Sequence, residues 1–148
     1  MFDQPYAYAV RLAPQPGGGF VVSFPDLPEA LTDGDDRATA LVNAADCLSE
    51  ALAGRINHDE TIPPPSAARK GTHLVAPEPT IALKAALYSA LRARALTVAD
   101  LARRLEIDYR QAARLVDPRS PSKLTSLKAA LDTLGYELAI AVQEKPAA

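Results

Sequence analysis

The apolar residues of this chain change their spacing at residues 33–36, and no other feature limits the fold as much. Before that point bulky and small side chains alternate, as in Tyr6, Ala7, Tyr8, Ala9, Val10, Arg11 and Leu12. The run from Phe20 to Phe24 is equally rich in β-formers. Both read as strands, and the prolines and glycines from Pro14 to Gly19 read as the turn between them. Pro25, Asp26, Leu27, Pro28 and Glu29 break the second run, and Ala30 to Thr32 is expected as a short third strand. After Asp33, Gly34, Asp35 and Asp36 the period becomes helical. Leu41, Ala44, Ala45, Leu48, Leu52 and Ile56 recur at three- and four-residue steps and form one apolar face of a helix from Arg37 to Ile56. Pro63, Pro64 and Pro65 exclude helix from Thr61 to Ser66. Thr72 to Ala76 is expected as a last strand. Residues 1–78 therefore predict an α+β domain of order β-β-β-α-β.

Beyond Pro77 and Pro79 the pattern is helical. Thr80 is expected to cap a helix through about Arg94, with Leu83, Ala86, Leu87, Ala90 and Leu91 inward. Thr97 to Leu105 predicts a second helix and Asp108 caps a third, ending near Val116. Pro118 to Ser122 is a loop. Lys123 to Leu134 is a fourth helix, stopped by Gly135. Tyr136 to Val142 alternates again and is expected as a terminal strand, with Gln143 to Ala148 a frayed tail. The organisation is thus an α+β domain over 1–78 and an all-α domain over 79–148. Domains of about 70 residues bury only about 60% of their extended surface. Further burial is expected at the sheet edge or the Tyr136–Val142 segment, giving a homodimer or a higher even oligomer.

Several function classes are excluded by composition. The longest apolar runs are a few residues, against the roughly 20 of a membrane-spanning helix, so no membrane partner is expected. Met1, Phe2, Asp3, Gln4 and Pro5 lack the character of a secretory leader. A single cysteine, Cys47, and two histidines, His58 and His73, give no disulfide, metal site or histidine-based triad. A cytoplasmic protein without cofactor or metal is expected. The net charge of −2 conceals a division: residues 1–80 carry 5 basic and 11 acidic side chains, residues 81–148 carry 11 basic and 7 acidic. Such asymmetry suits one basic and one acidic partner.

The acidic partner is suggested by Thr97–Leu115, TVADLARRLEIDYRQAARL. A DNA-reading helix-turn-helix needs two short helices crossing through a three- to four-residue turn. Ala102 is the small residue such a crossing requires, and Leu101, Leu105, Ile107, Ala112 and Leu115 are its apolar pins. Tyr109, Arg110, Gln111, Ala113 and Arg114 remain outward on the second helix, whose N-terminal residues face base edges in such units. Arginine suits guanine and glutamine suits adenine. Arg103, Arg104, Arg119, Ser122 and Lys123 can hold phosphates. Residues 80–136 resemble the Cro/CI-like (XRE) repressors, including the run SKLTSLKAALDTLGYEL. Val98 replaces the usual glutamine of that family and Glu106 the usual turn glycine, which requires positive φ of a non-glycine residue.

The first half carries a second resemblance. GGFVVSFPDLPEALTDGDDRATALVNAADCLSEAL, followed by Ile62, Pro63, Pro64, Pro65 and Ser66, resembles the HicB antitoxins. The matching parts are Gly19–Phe24, the Pro25–Glu29 turn, the Thr32–Asp35 step, the helix Ala38–Leu52 and the Pro63–Ser66 lead. This resemblance implies a truncated RNase H-like fold for the first domain. It also implies a partner, a small basic HicA-like toxin that cleaves mRNA and is blocked by the antitoxin. It further implies that the protein represses its own operon through double-stranded operator DNA. Asp26, Glu29, Asp33, Asp35 and Asp36 are the candidate toxin contacts, since an acidic surface complements a protein built to bind RNA.

No catalytic residue is expected. RNase H chemistry needs clustered carboxylates around paired metals, and Tyr6–Leu12 contains none. Cys47 reads as a small core residue, His58 as a helix C-terminal cap, and Tyr6, Tyr8, Phe20 and Phe24 as sheet packing. A competing reading keeps the DNA-binding half but makes the protein a free-standing, ligand-responsive transcriptional repressor with no stoichiometric protein partner.

Overall fold

The computed structural model describes residues 6–145. The leader reading of Met1–Pro5 and the last three residues of the expected tail lie outside them. The elements in order are β1 (Tyr8–Pro14), β2 (Phe20–Ser23), β3 (Leu31–Gly34), α1 (Arg37–Asn57), β4 (His73–Val75), α2 (Pro79–Ala93), α3 (Val98–Leu105), α4 (Tyr109–Val116) and α5 (Leu124–Thr133). The fold is mixed α+β, with an N-terminal β region followed by helices. The described residues form two compact units. One contains 6–51, 63–78 and 141–145, the other 52–62 and 79–140.

The first unit is built on an antiparallel sheet of order β3-β2-β1-β4. Its register puts Tyr8, Val10 and Leu12 of β1 on the same face as Val75, His73 and Val22. Tyr8, Val10, Val22 and Val75 are buried, as are Ala40, Ala44 and Leu48 at four-residue steps on α1. Alternation in the strands and the helical period in α1 thus meet in one core. The opposite face carries Arg11, Leu31 and Leu74, all exposed.

Two glycines permit close approaches at the end of β3, Gly19 from the β1–β2 turn and Gly34 toward α1. Gly19 has φ +81°, and a Cβ there would lie 2.8 Å from the Gly34 carbonyl oxygen. At Gly34 a Cβ would lie 2.4 Å from the Ala40 nitrogen. β3 consequently runs on to Gly34 instead of ending at Thr32, so Asp33 and Gly34 belong to the strand and not to a turn. Asp36 begins α1, its Oδ1 accepting the Thr39 N–H at 2.7 Å. At the other end His58 closes α1 as expected, its N–H and Nδ1 lying 3.0 and 2.7 Å from the Gly54 carbonyl oxygen. Cys47 is half-buried on α1 rather than part of the core, and burial pushes its thiol pKa up.

The Pro-Asp-Leu-Pro turn and the proline-rich lead are joined to each other. Phe24, Leu27 and Ala30 are buried, and successive turns link Leu27 N–H to Phe24 and Ala30 N–H to Leu27. Asp26 accepts from the Ser66 N–H at 2.8 Å and from its hydroxyl at 2.5 Å. The Tyr8 hydroxyl donates to the Pro63 carbonyl at 2.7 Å.

In the second unit α2 begins at Pro79, whose fixed φ and missing N–H suit the first helical position; Thr80 is inside the helix and does not cap it. Leu87, Ala90 and Leu91 are buried as expected, with Tyr88 and Lys84 beside them. They share a core with Leu101, Ala102, Ala112, Leu115, Val116, Leu127, Ala130, Leu131 and Leu134. Tyr88 donates to the Glu60 carbonyl at 2.7 Å and Arg92 pairs with Asp59 at 2.9 Å, which fixes the turn after α1 to α2.

Tyr136–Val142 is not a strand. Gly135 follows α5 with φ +87°, and Arg94 then takes hold of the chain. Its Nε donates to the Leu134 carbonyl at 2.7 Å and its guanidinium lies 4.9 Å from the Tyr136 ring centre. No strand pairs with this segment among the described residues, and Ile140 and Val142 are 72% and 95% exposed. Alternation alone cannot hold a strand whose backbone groups lack a ladder partner.

Candidate functional site

Two eight-residue helices, α3 and α4, are joined by the three residues Glu106, Ile107 and Asp108. Each begins with a reciprocal cap. At α3 the Thr97 N–H donates to Asp100 Oδ2 at 2.8 Å, and the Asp100 N–H donates to Thr97 Oγ1 at 3.1 Å. At α4 the Asp108 N–H donates to Gln111 Oε1 at 3.2 Å, and the Gln111 N–H donates to Asp108 Oδ1 at 2.8 Å. These are capping boxes that satisfy otherwise orphaned helix N–H groups. They hold the carboxyl of Asp100 below the usual carboxylate range, with the Thr97 N–H as the largest cause.

The turn between the helices is left-handed at Glu106, with φ 54° and ψ 43°. The Ile107 N–H returns to the Ala102 carbonyl at 3.1 Å. Glu106 thus adopts the left-handed conformation normally given to glycine, as expected from the sequence. Leu101, Ala102, Ala112 and Leu115 are buried, while Leu105 and Ile107 are half-buried at the edge of the pair.

All eight candidate DNA contacts are on the surface, but their chemical freedom differs. Tyr109 is 62% exposed, and Arg110, Gln111 and Arg114 are also exposed on α4. Arg110, Arg114 and Lys123 make no ion pair among the described residues. Arg103 is paired with Asp100 in its own helix. Arg104 donates to the Thr133 carbonyl at 3.0 Å, at the end of α5. Arg119 lies 3.4 Å from Asp117, whose pKa is lowered chiefly by the Arg119 N–H. Lys123 sits at the N-terminus of α5.

Sequence reasoning missed Lys84. It is fully buried, and its Nζ donates to the carbonyls of Arg114 at 2.8 Å, Asp117 at 2.6 Å and Ser120 at 2.5 Å, and to the Ser122 hydroxyl at 3.0 Å. One ammonium group therefore closes α4 and shapes the loop that carries Arg119 toward Lys123. Burial lowers its pKa, and the Asp117 carboxylate opposes that shift. The signal was present in the spacing, since Lys84 precedes Leu87, Tyr88 and Leu91 by three, four and seven residues.

The five candidate acidic contacts lie in different surroundings. Asp26 is committed to Ser66. Asp36 is committed to the α1 cap, and the Thr39 N–H lowers its pKa. Glu29, Asp33 and Asp35 are exposed around β3, and the Asp33 carbonyl accepts from Asn43 Nδ2 at 2.8 Å. Among the described residues no group of three or more histidine, cysteine or acidic side chains could hold a metal. No helix among them is long and apolar enough to cross a membrane.

Residues 7–86 match the model of a family described as the HicB-like antitoxin of bacterial toxin-antitoxin systems. The chain is 35% identical to Antitoxin HicB of Escherichia coli (strain K12) over 133 residues, covering 90% of this chain and 96% of that one. It is 33% identical to Antitoxin HicB 1 of Photorhabdus laumondii over 136 residues, with 92% and 86% covered. It is 30% identical to Antitoxin HicB of Pseudomonas fluorescens (strain Pf0-1) over 139 residues, with 93% and 94% covered.

Proposed function

The chain belongs to the HicB-like antitoxin family, and from that premise we propose how it divides its work between two partners. The antitoxin role in a toxin–antitoxin system comes with the family. The proposal is that the domain at 1–78 binds and blocks a small, basic, HicA-like mRNA-cleaving toxin. The domain at 79–148 is a Cro/CI-like helix-turn-helix that binds operator DNA and represses the operon. The protein acts in the cytoplasm as a stoichiometric blocker, not as an enzyme.

The observation that carries the DNA half of this reading is the surface of α4. Arg110 and Arg114 are exposed on a well-capped helix that follows a three-residue turn, and Lys123 is exposed at the start of α5. That is the arrangement by which such units present the N-terminal part of their second helix to the major groove. Arg103, Arg104 and Arg119 contribute as phosphate contacts after leaving their present partners. For the toxin half, exposed Glu29, Asp33 and Asp35 supply an acidic rim, while Asp26 and Asp36 support it through the Ser66 and Thr39 contacts. A homodimer or higher even oligomer would set two reading helices about 34–36 Å apart, one turn of DNA.

Capture of the tagged full chain from its native host at moderate salt tests the partner directly. A small basic protein retained in near-stoichiometric amount supports the reading. Recovery of the chain alone contradicts it.

A further inference from the structure

The α4 cap fixes which bases this helix accepts. Glutamine recognises adenine by using both ends of its amide, with the oxygen accepting from N6 and the nitrogen donating to N7. Bidentate reading needs both ends of the amide turned to one base edge, and the Gln111 oxygen, though it keeps a second lone pair, is turned to its own cap. A backbone N–H can only donate, so the group facing the Asp108 N–H at 3.2 Å is the amide oxygen. Nε2 has no hydrogen-bond partner among the described residues, and it can only donate. Arg110 and Arg114 present guanidinium groups, which also only donate. The nearest carboxylate, Asp108, accepts the Gln111 N–H through Oδ1 at 2.8 Å and belongs to the cap. The polar groups at 110, 111 and 114 therefore form one exposed face made of donors.

We infer that α4 selects guanine at the positions under Arg110, Gln111 and Arg114, and that Gln111 reads guanine instead of adenine. Guanine offers two acceptors, O6 and N7, in the major groove, thymine offers one, O4, beside its methyl group, and adenine and cytosine each present an amino donor there. An amino group opposite this face would meet another donor. Tyr109, 62% exposed at the first position of α4, adds a ring suited to a thymine methyl group. The operator half-site is then a guanine cluster beside thymine, not a mixed guanine–adenine site. This inference rests on the DNA-reading role proposed above.

Selection of bound duplexes from a random 30-base-pair pool (length about three helical turns) by the full chain tests it, with Gln111→Glu selected in parallel. Glutamate keeps the cap, because a carboxylate accepts from the Asp108 N–H, and acidic residues suit a helix N-terminus. Its outward oxygen accepts instead of donating, which suits the amino group of cytosine. The expected result is a guanine cluster for the unaltered chain, with one position changing from guanine to cytosine in the variant. Replacing that guanine by 7-deazaguanine should weaken binding of the unaltered chain about fivefold or more. Adenine at that position, with binding lost when its N6 amino group is removed, overturns the inference and leaves DNA reading intact. An identical preference in both proteins also overturns it, because Gln111 would then touch no base. Absence of any sequence preference overturns the DNA-reading role itself.

Discussion

At the scale of single residues, the second unit depends on positions whose identity conflicts with their surroundings. Glu106 is an L-residue in a left-handed turn, a conformation costing roughly 1–2 kcal/mol for residues with a Cβ. Glu106→Gly should therefore stabilise the protein by about 1 kcal/mol, read as a higher urea midpoint. Lys84 presents the opposite case, a charged group that the core requires. Lys84→Met leaves the carbonyls of Arg114, Asp117 and Ser120 without their common donor, and should cost at least about 2 kcal/mol in urea unfolding. The caps also set an acid limit. Asp36, Asp100 and Asp117 are each held below the ordinary aspartate pKa of about 3.9 by backbone N–H donors. Each therefore favours the folded chain fully above that value, and the contribution disappears as pH falls through the lowered one. Asp100→Asn should lower the urea midpoint at pH 7, and by progressively less as pH falls below about 3.9.

At the scale of elements, legibility followed the strength of local signals. The spacing of Leu41 through Ile56 marks α1 because a helix with one apolar stripe has only one way to bury it. Thr97 and Asp108 mark the starts of α3 and α4 because a side-chain acceptor three residues before a matching partner is a local capping signal. Gly135 marks the end of α5 for the same local reason. Tyr136–Val142 alternates as a strand does, but pairing is a nonlocal condition that alternation cannot report. The far end of β3 was hidden similarly. Gly34 looks like turn chemistry, yet it is a strand residue whose missing Cβ makes room for Ala40. Gly34→Ala should push β3 and α1 apart and cost about 1–3 kcal/mol, measured by thermal or urea unfolding. An unchanged midpoint would mean that the close approach of strand and helix can relax freely.

At the scale of the whole molecule, the charge division is the feature that composition made visible and contacts then refined. Of the five candidate acidic contacts, Asp26 is bonded to Ser66 and Asp36 caps α1, while Glu29, Asp33 and Asp35 are exposed around β3. The basic half distributes its charge likewise, with Arg103, Arg104 and Arg119 engaged locally and Arg110, Arg114 and Lys123 in no ion pair among the described residues. Sequence could name these residue types but could not say which were already spoken for, because a surface charge looks the same in a sequence whether or not a carbonyl lies beside it. A division of labour follows from this account, with the DNA role concentrated on α4. The measurement that tests it most directly is the affinity of the full chain for its own operator, by fluorescence anisotropy at fixed salt. The unaltered protein is compared with Arg110→Ala/Arg114→Ala, each preparation having first been shown to neutralise the toxin equally. The account predicts an operator affinity at least about tenfold weaker in the double variant, from the loss of two base contacts. An unchanged affinity would contradict it.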